Sequence, residues 1–433
     1  LMADGHAMTG ADALIHSLDT EGVTTIFGYP GGAIMPVTPK YKAVHGVLAY
    51  PTIDALPQVP DLAVICTSKD RCCQIVEQLG NKGCKNAVII ASGIDKDLKH
   101  VLIETARKAN VNILGPNSLG LLIPRIGLNA SFSHMVAKPG KIAFVSQSAA
   151  VCSTILDWAQ TKDIGFSYFV SVGDCGDIDF DELVDFLGRD ANTQAILLYI
   201  DNIEHTRQFI SAARAAAFSK PVIAIKTGKT AAGADAAMAH TGGNQGSDAV
   251  YDAMFQRAGM LRVNDLRELF AATQTLALHP KLLKQEALTI LTNGGGPGVM
   301  SVDTLIQSSG KLAELSKETI TKLNQVLPQH TSFANPVDIY GDSDPWRYQK
   351  AVEILVQAPE VDNLLILHSP SALAPSEEFA KIIAETVNKV PKMQRPYVMT
   401  NFMGETAAYE ARKVCQSAGI PTYRTPEGAV GAY

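Results

Sequence analysis

Lysine and arginine never gather into a run in this chain. The 37 of them are scattered and outnumbered by 43 Asp and Glu, for a formal net charge of -6. Nucleic acid is therefore not an expected partner. Charged residues make up only 18% of the chain and hydrophobic ones 46%, a balance that argues against disorder and for well-buried cores. Long apolar runs are missing too: the longest, such as AILLYI, have the length of a strand and are too short to span a bilayer. The opening LMADGHAMTG has no basic segment followed by an apolar stretch, so neither membrane nor secretion is expected. Cysteine is sparse, with seven at 66, 72, 73, 84, 152, 175 and 415 and no CxxC spacing. That irregular set argues against a disulfide framework and against zinc. No grouping of His, Asp and Glu has metal spacing either, so no metal site is expected, and a reducing cytoplasm fits best.

What is present is a period of strand, loop and helix. DLAVICT leads to KDRCCQIVEQLGNKG, NAVIIASG to KDLKHVLIETARKAN, KIAFVSQS to AAVCSTILDWAQTKD, and AILLYI to EHTRQFISAARAAAF. Continuous apolar strands alternating with amphipathic helices predict parallel sheets covered on both faces, an α/β architecture. At 433 residues the chain is too long for one core. Breaks at Ala137-Lys138-Pro139-Gly140 and from His279-Pro280 to Gln285 divide it into α/β units ending near 137, ending near 280, and running from 285 to 433. KIAFVSQSAAV and ALTILTNGGGPGV open the second and third units alike, a loose internal repeat of flavodoxin-like units. The ending GAVGAY sits inside a helical pattern, as in a fragment.

Ligands in such sheets bind beyond the carboxyl ends of the strands, so the polar strand tips are the places to search. The most informative stretch is KTGKTAAGADAAMAHTGGNQG, Lys226 to Gly246, which holds five glycines and a single imidazole, His240. We expect a loop there, able to let backbone approach a ligand. A neutral imidazole is a ready nucleophile near neutral pH, although an isolated loop histidine is more often merely solvated. Ser146-Gln147-Ser148-Ala149 and Asn293-Gly294-Gly295-Gly296-Pro297-Gly298 are helix starts able to hold an anion, and ordinary βα turns use the same residues. Gly115-Pro116-Asn117-Ser118-Leu119-Gly120 is a tight polar turn that could bond an amide-rich ligand such as a pantetheine arm, or be required only by the chain's path. Asp201, after AILLYI, could orient an imidazole or simply cap the next helix. There is no GxSxG elbow for a hydrolase.

Together these residues carry a resemblance. From about Pro36 to Tyr433, PVTPKYKAVHGVLAYP, PDLAVICT, LGPNSLGLL, GLNASFS, SQSAAV, ILDWAQ, GFSYFVSVGD, DIDFDEL, AILLYI, HSPSALAP and AGIPTYRTPEG resemble the CoA-ligase-like region of NDP-forming acyl-CoA synthetases. They are most similar to bacterial protein lysine acetyltransferases that fuse this region to ATP-grasp and acetyltransferase domains. The resemblance implies a Rossmann-like CoA-binding domain (38–137, incomplete) followed by two flavodoxin-like, succinyl-CoA synthetase-like domains (138–280 and 285–433). It implies a phosphohistidine at His240, in AHTGG, which carries phosphate between acyl phosphate and nucleotide. It also implies phosphate binding at Ser146, Gln147, Ser148, Ala149, Gly242 and Gly243, and a CoA site at Gly115, Pro116, Asn117 and Ser118. Asp201 stands where the family usually has Glu, one methylene longer; Glu204 could substitute only if its loop bends.

The implied ligands are coenzyme A or acetyl-CoA. ATP or ADP with Mg would bind only through an ATP-grasp domain, absent here, that must come from a partner or from further sequence. An attached acetyltransferase domain and a homo-oligomer are further partners the resemblance suggests. The expected activity interconverts acyl-CoA and acyl phosphate; the rival expectation is a non-catalytic acyl-CoA-sensing region that regulates an acetyltransferase. Residues 1–37, MTGADALIHSLDTEGVTTIFGYPGGAIMPV within them, resemble instead the start of acetolactate synthase, without that enzyme's thiamine-activating glutamate. The expectation is therefore a chimera that lacks the usual opening strand and glycine-rich CoA loop, with an acetolactate synthase fragment as a third reading.

Overall fold

In the computed structural model, residues 34–44, 46–241, 246–278, 286–328, 334–371, 375–391 and 394–433 are described. The chain divides into two compact units, Leu1–Asp265 and Leu266–Tyr433. Among the described residues no helix is long and apolar enough to cross a membrane.

The first unit opens with a short hairpin, β1 (Ala43–Val44) and β2 (Val47–Leu48). A parallel three-stranded sheet follows: β3 (Ala63–Ile65), β4 (Asn86–Ile89) and β5 (Asn112–Leu114), in that order. Its crossovers are α1 (Cys72–Lys82) and α2 (Lys96–Ala109). The Asp95 carboxylate starts α2 by accepting the Leu98 N–H at 2.9 Å, and Asn110 ends it in the left-handed region. Ile65, Val76, Leu79, Ile89, Leu102 and Ile113 fill the space between.

The second sheet has seven strands. Five are parallel: β8 (Pro139–Ser146), β9 (Phe166–Ser171), β10 (Ala195–Ile200), β11 (Val222–Lys226) and β12 (Leu261–Val263). Their order is β12-β11-β10-β8-β9, so the chain runs outward from β8 in one direction and then returns to the other side. The order continues with β6 (Gly120–Ile123) and β7 (Leu128–Ser131), a hairpin from before Ala137 whose β6 pairs antiparallel with β9. Helices α3 (Ala149–Thr161), α4 (Phe180–Arg189), α5 (Thr206–Ala217), α6 (Ala231–Thr241) and α7 (Asp248–Ala258) join the parallel strands. Burial of β10 at every position but Tyr199 explains its unbroken apolar run.

α6 departs from the expected loop. Ala231–Thr241 reads AAGADAAMAHT, and alanine is the strongest helix former. The five glycines of the stretch point to a loop, but the alanine-rich part of it forms a helix.

The second unit repeats the plan. It begins with α8 (Leu266–Leu278) and β13 (Ala287–Thr292), then α9 (Gly295–Gln307), β14 (Lys311–Leu312), α10 (Lys317–Val326) and β15 (Val337–Asp338). It continues through α11 (Pro345–Gln357), β16 (Asn363–His368), α12 (Ser376–Lys389), β17 (Tyr397–Phe402), α13 (Tyr409–Ser417), β18 (Thr422–Tyr423) and α14 (Pro426–Ala432). The strand order β14-β13-β16-β17-β18, with β15 beside β13, is again the flavodoxin-like order.

Candidate functional site

In this strand order the chain reverses between β8 and β10, and the crevice beyond their carboxyl ends is where a ligand fits. Four of the expected residues, Ser146, Gln147, Ser148 and Asp201, meet there. β8 ends at Ser146, whose hydroxyl accepts the Ser148 N–H at 3.0 Å. Ser148 caps α3, its hydroxyl accepting the Val151 N–H at 3.3 Å. Between them, the Gln147 amide oxygen accepts N–H bonds from Asp201 (2.6 Å) and Asn202 (3.1 Å) beyond β10. Its NH₂ donates to the Asn202 side-chain oxygen at 3.0 Å and reaches Cys175 Sγ at 3.4 Å. Gln147 thus ties the two strand ends together, with its side chain turned to that bracing. Ser148 N–H is likewise occupied. Among the described residues, the first-turn N–H groups with no protein acceptor are those of Ala149 and Ala150.

Asp201 does not cap α5, which starts at Thr206 after His205. Its carboxylate accepts the Thr227 hydroxyl just past β11. That charge also helps raise the Tyr199 phenol to about 12, although burial is the larger cause. Beneath it lies a residue that sequence reasoning missed. Lys226 is 1% exposed; its ammonium donates to the Thr227 carbonyl and sits 4.5 Å from the centre of the Tyr251 ring. Burial pushes its pKa down, against the pull of Asp201 and Asp248. The one available signal was a lysine as the last residue of an otherwise apolar strand.

The turn 115–118 reaches the same crevice. Its Gly115-Pro116 bond is cis and Asn117 has a φ of 59°. Asn117 NH₂ donates to the Asp174 carboxylate at 3.1 Å, and Asp174 N–H donates to the Pro116 carbonyl at 2.9 Å. Gly173 makes this fit possible. Its φ is +56°, and a Cβ there would collide with the Pro116 carbonyl oxygen. Lys99 of α2 donates to the Asp174 carbonyl at 2.6 Å and pairs with Glu204 at 3.6 Å.

Together these groups enclose a cavity of about 480 Å³, lined among others by Asn117, Ser148, Ala149, Ala150, Asp201 and Thr227. Gly233 and Ala237 of α6 form another wall. Lys99, Asp174, Asn202 and Glu204 also border a second, more apolar cavity of about 780 Å³, where Ile94, Ile103, Ile203 and Met254 face the space. His240 belongs to the last turn of α6; its side chain, and Gly242 and Gly243, lie outside the described residues. Of the turn 115–118, only Asn117 lines the smaller cavity, and Ser118 is buried with its hydroxyl on the Ser171 carbonyl. Asp179, Asp181 and His205 lie close enough to share an ion, but Asp179 serves as the cap of α4, accepting the Phe180 N–H at 2.6 Å.

The second unit carries a matching arrangement at β13 and β16. The Thr292 hydroxyl accepts the Gly294 N–H at 3.0 Å, and the Asn293 amide bonds both backbone groups of Ser369, at 2.7 and 2.9 Å. The repeat suggested by KIAFVSQS and ALTILTNG is therefore a repeat of geometry.

Comparison with known proteins gives this geometry a family. Three family models match in series: a CoA binding domain at 22–124, a succinyl-CoA ligase like flavodoxin domain at 139–276 and a Ligase-CoA domain at 288–431. The subunit alpha of acetate–CoA ligase [ADP-forming] II from Pyrococcus furiosus is 35% identical over 437 residues, covering 99% of this chain and 94% of that protein. The chain belongs to the ADP-forming acetate–CoA ligase family. It is also 35% identical to the acetate–CoA ligase [ADP-forming] I of Archaeoglobus fulgidus, where it covers only 58% of that protein's length. Among solved structures, the dinucleotide forming acetyl-coenzyme A synthetase 1 of Ca. Korarchaeum cryptofilum, in complex with phosphate and ADP, superposes with a TM-score of 0.89. It is 31% identical and covers 99% of this chain and 92% of that one.

These matches correct the expectation for the N-terminus. The CoA-binding match begins at residue 22 and the Pyrococcus alignment covers 99% of the chain, so a foreign acetolactate synthase head and a chimera are not supported. The likeness of residues 1–37 is confined to that stretch, and the collinear match outweighs it. The protein lysine acetyltransferase likeness and the regulatory reading likewise gain no support, since the family shown is one of ligases.

Proposed function

We propose that this chain is the CoA-handling and phosphoryl-relaying part of an ADP-forming acid–CoA ligase, with His240 as the carrier. The observation that supports this most is the cavity at the β8/β10 crevice, which brings Asn117, the start of α3 and Asp201 under the helix that bears His240. Helical spacing puts position 240 in the same row as Gly233 and Ala237, both of which line the cavity.

The open N–H groups of Ala149 and Ala150 and the α3 dipole would hold a phosphoryl group. This shifts the expected pair, Ser148 and Ala149, by one residue, because the Ser146 hydroxyl already takes Ser148 N–H. Phosphate attacks the thioester of acyl-CoA, CoA leaves as the thiol, and acyl phosphate forms. A lone pair on the neutral imidazole of His240 then attacks phosphorus, and the P–O bond breaks with its electrons on the departing carboxylate. Asp201 stabilises the ring as it gains positive charge. The phosphoryl group passes to ADP on a nucleotide-binding partner of ATP-grasp type, and synthesis of acyl-CoA runs in reverse. The turn at Gly115, Pro116, Asn117 and Ser118 would place the pantetheine end of CoA.

The test uses the chain alone with radiolabelled acetyl phosphate. Acid-labile, base-stable label that disappears in His240→Ala is the expected result. Label that persists in that variant, or none in the wild type, would refute the relay.

A further inference from the structure

We infer that Lys226 is a positioning residue for the phosphoryl relay, acting through Thr227 on Asp201; this rests on the function proposed above. A fully buried ammonium is costly to keep, so its surroundings must return something. Among the described residues, the Thr227 carbonyl accepts its proton, the Tyr251 ring lies beneath it, and Asp201 and Asp248 favour its charge, while Arg262 opposes it. Asp248 is itself engaged by Arg262 at 2.5 Å. Asp201 is instead held by the Thr227 hydroxyl.

The geometry braces Asp201 from two sides. Thr227 is gripped at its carbonyl by Lys226 and offers its hydroxyl to Asp201. Tyr251, under the ammonium, accepts the Ile203 N–H at 3.2 Å, two residues beyond Asp201. One buried cation thereby fixes the strand end that aims the carboxylate and the loop that follows it. Lys226 is not among the residues lining the cavity, and its described contacts run to Thr227 and Tyr251. Its loss should slow the chemical step and leave substrate binding intact.

The acetyl phosphate half-reaction on the full chain tests this with Lys226→Met, Lys226→Arg, Asp201→Asn and the Lys226→Met/Asp201→Asn double variant. We expect Lys226→Met to lower the saturating labelling rate about tenfold with an unchanged KM for acetyl phosphate. Lys226→Arg should recover most of that rate, and the double variant should be no slower than Asp201→Asn. Effects that multiply in the double variant would overturn the inference, as would a change confined to KM, or a loss of stability with an unchanged rate per folded molecule. Should Lys226→Met not fold, Thr227→Val cuts the link at the hydroxyl and should show the same loss of rate at constant KM; an unaltered rate there overturns the inference too. A wild type that takes no label removes the proposed function and this role together, whereas a labelled wild type with independent variant effects removes only the role of Lys226.

Discussion

Acid should loosen the second unit through one histidine. His368 ends β16 with 1% exposure, and among the described residues neither ring nitrogen has a hydrogen-bond partner. Its ring lies 4.9 Å from Phe379, 5.2 Å from Phe402 and 5.8 Å from Tyr348. Burial pushes its pKa from 6.5 down to about 4. Above the unfolded value both states are neutral and the residue leaves stability unchanged with pH. Below it the unfolded chain takes the proton first, so stability falls by about 1.4 kcal/mol per pH unit until the folded imidazole also titrates. The accumulated loss near pH 4 is about 3 kcal/mol. His368→Leu removes the proton site while keeping an apolar filler, and carboxylates titrating in both proteins cancel in the difference. The chain has two tryptophans, Trp158 in the first unit and Trp346 in α11 of the second. Trp158→Phe therefore leaves fluorescence that reports the second unit alone. Urea unfolding from pH 8 to 4 should show the wild type losing about 3 kcal/mol more than the variant. Parallel curves for the two proteins would refute the reasoning.

Other expectations concern the first unit. Gln147→Ala strips the acceptor from the Asp201 and Asn202 N–H groups and should cost about 2–3 kcal/mol in denaturant unfolding. Gly173→Ala forces a Cβ onto the Pro116 carbonyl at a positive φ. It should cost at least about 2 kcal/mol and weaken acetyl-CoA binding in calorimetric titration. Of the seven thiols, Cys66 and Cys73 are half-buried and the other five buried, with Cys152 and Cys415 each raised to about 12 by burial. A thiol reagent should modify two quickly under native conditions, and all seven in denaturant.

Much of this molecule was legible from residue order. AILLYI, KIAFVSQS and ALTILTNG read as buried parallel strands because their middles are apolar apart from Thr289 and their polar residues gather at the tip. What escaped was set by non-local contact. The run around His240 drew attention for its glycines, and the cap that starts its helix, the Thr230 hydroxyl accepting the Gly233 N–H at 3.1 Å, shows only in the fold. Lys226 closes an apolar strand, and the neighbouring Tyr251 and Asp201 show what accompanies it inside. Gln147 was legible as part of a helix start, but its grip on the far end of β10 spans 54 residues of sequence. The acetolactate synthase likeness of residues 1–37 is confined to that stretch and is not supported, whereas the family match runs collinearly along the chain.

The hairpin of β6 and β7 has a practical consequence. The turn at Ala137 to Gly140 looks like a natural place to separate the CoA-binding region from the ligase region. Yet β6 satisfies the outer edge of β9, through Leu121 opposite Val170 and Leu122 opposite Phe169. A cut at that turn would leave an apolar strand with an unpaired row of amides, ready to recruit strands from other molecules. The ligase sheet keeps its solubility only if the severing point moves upstream of Gly120, so the hairpin travels with the sheet it seals.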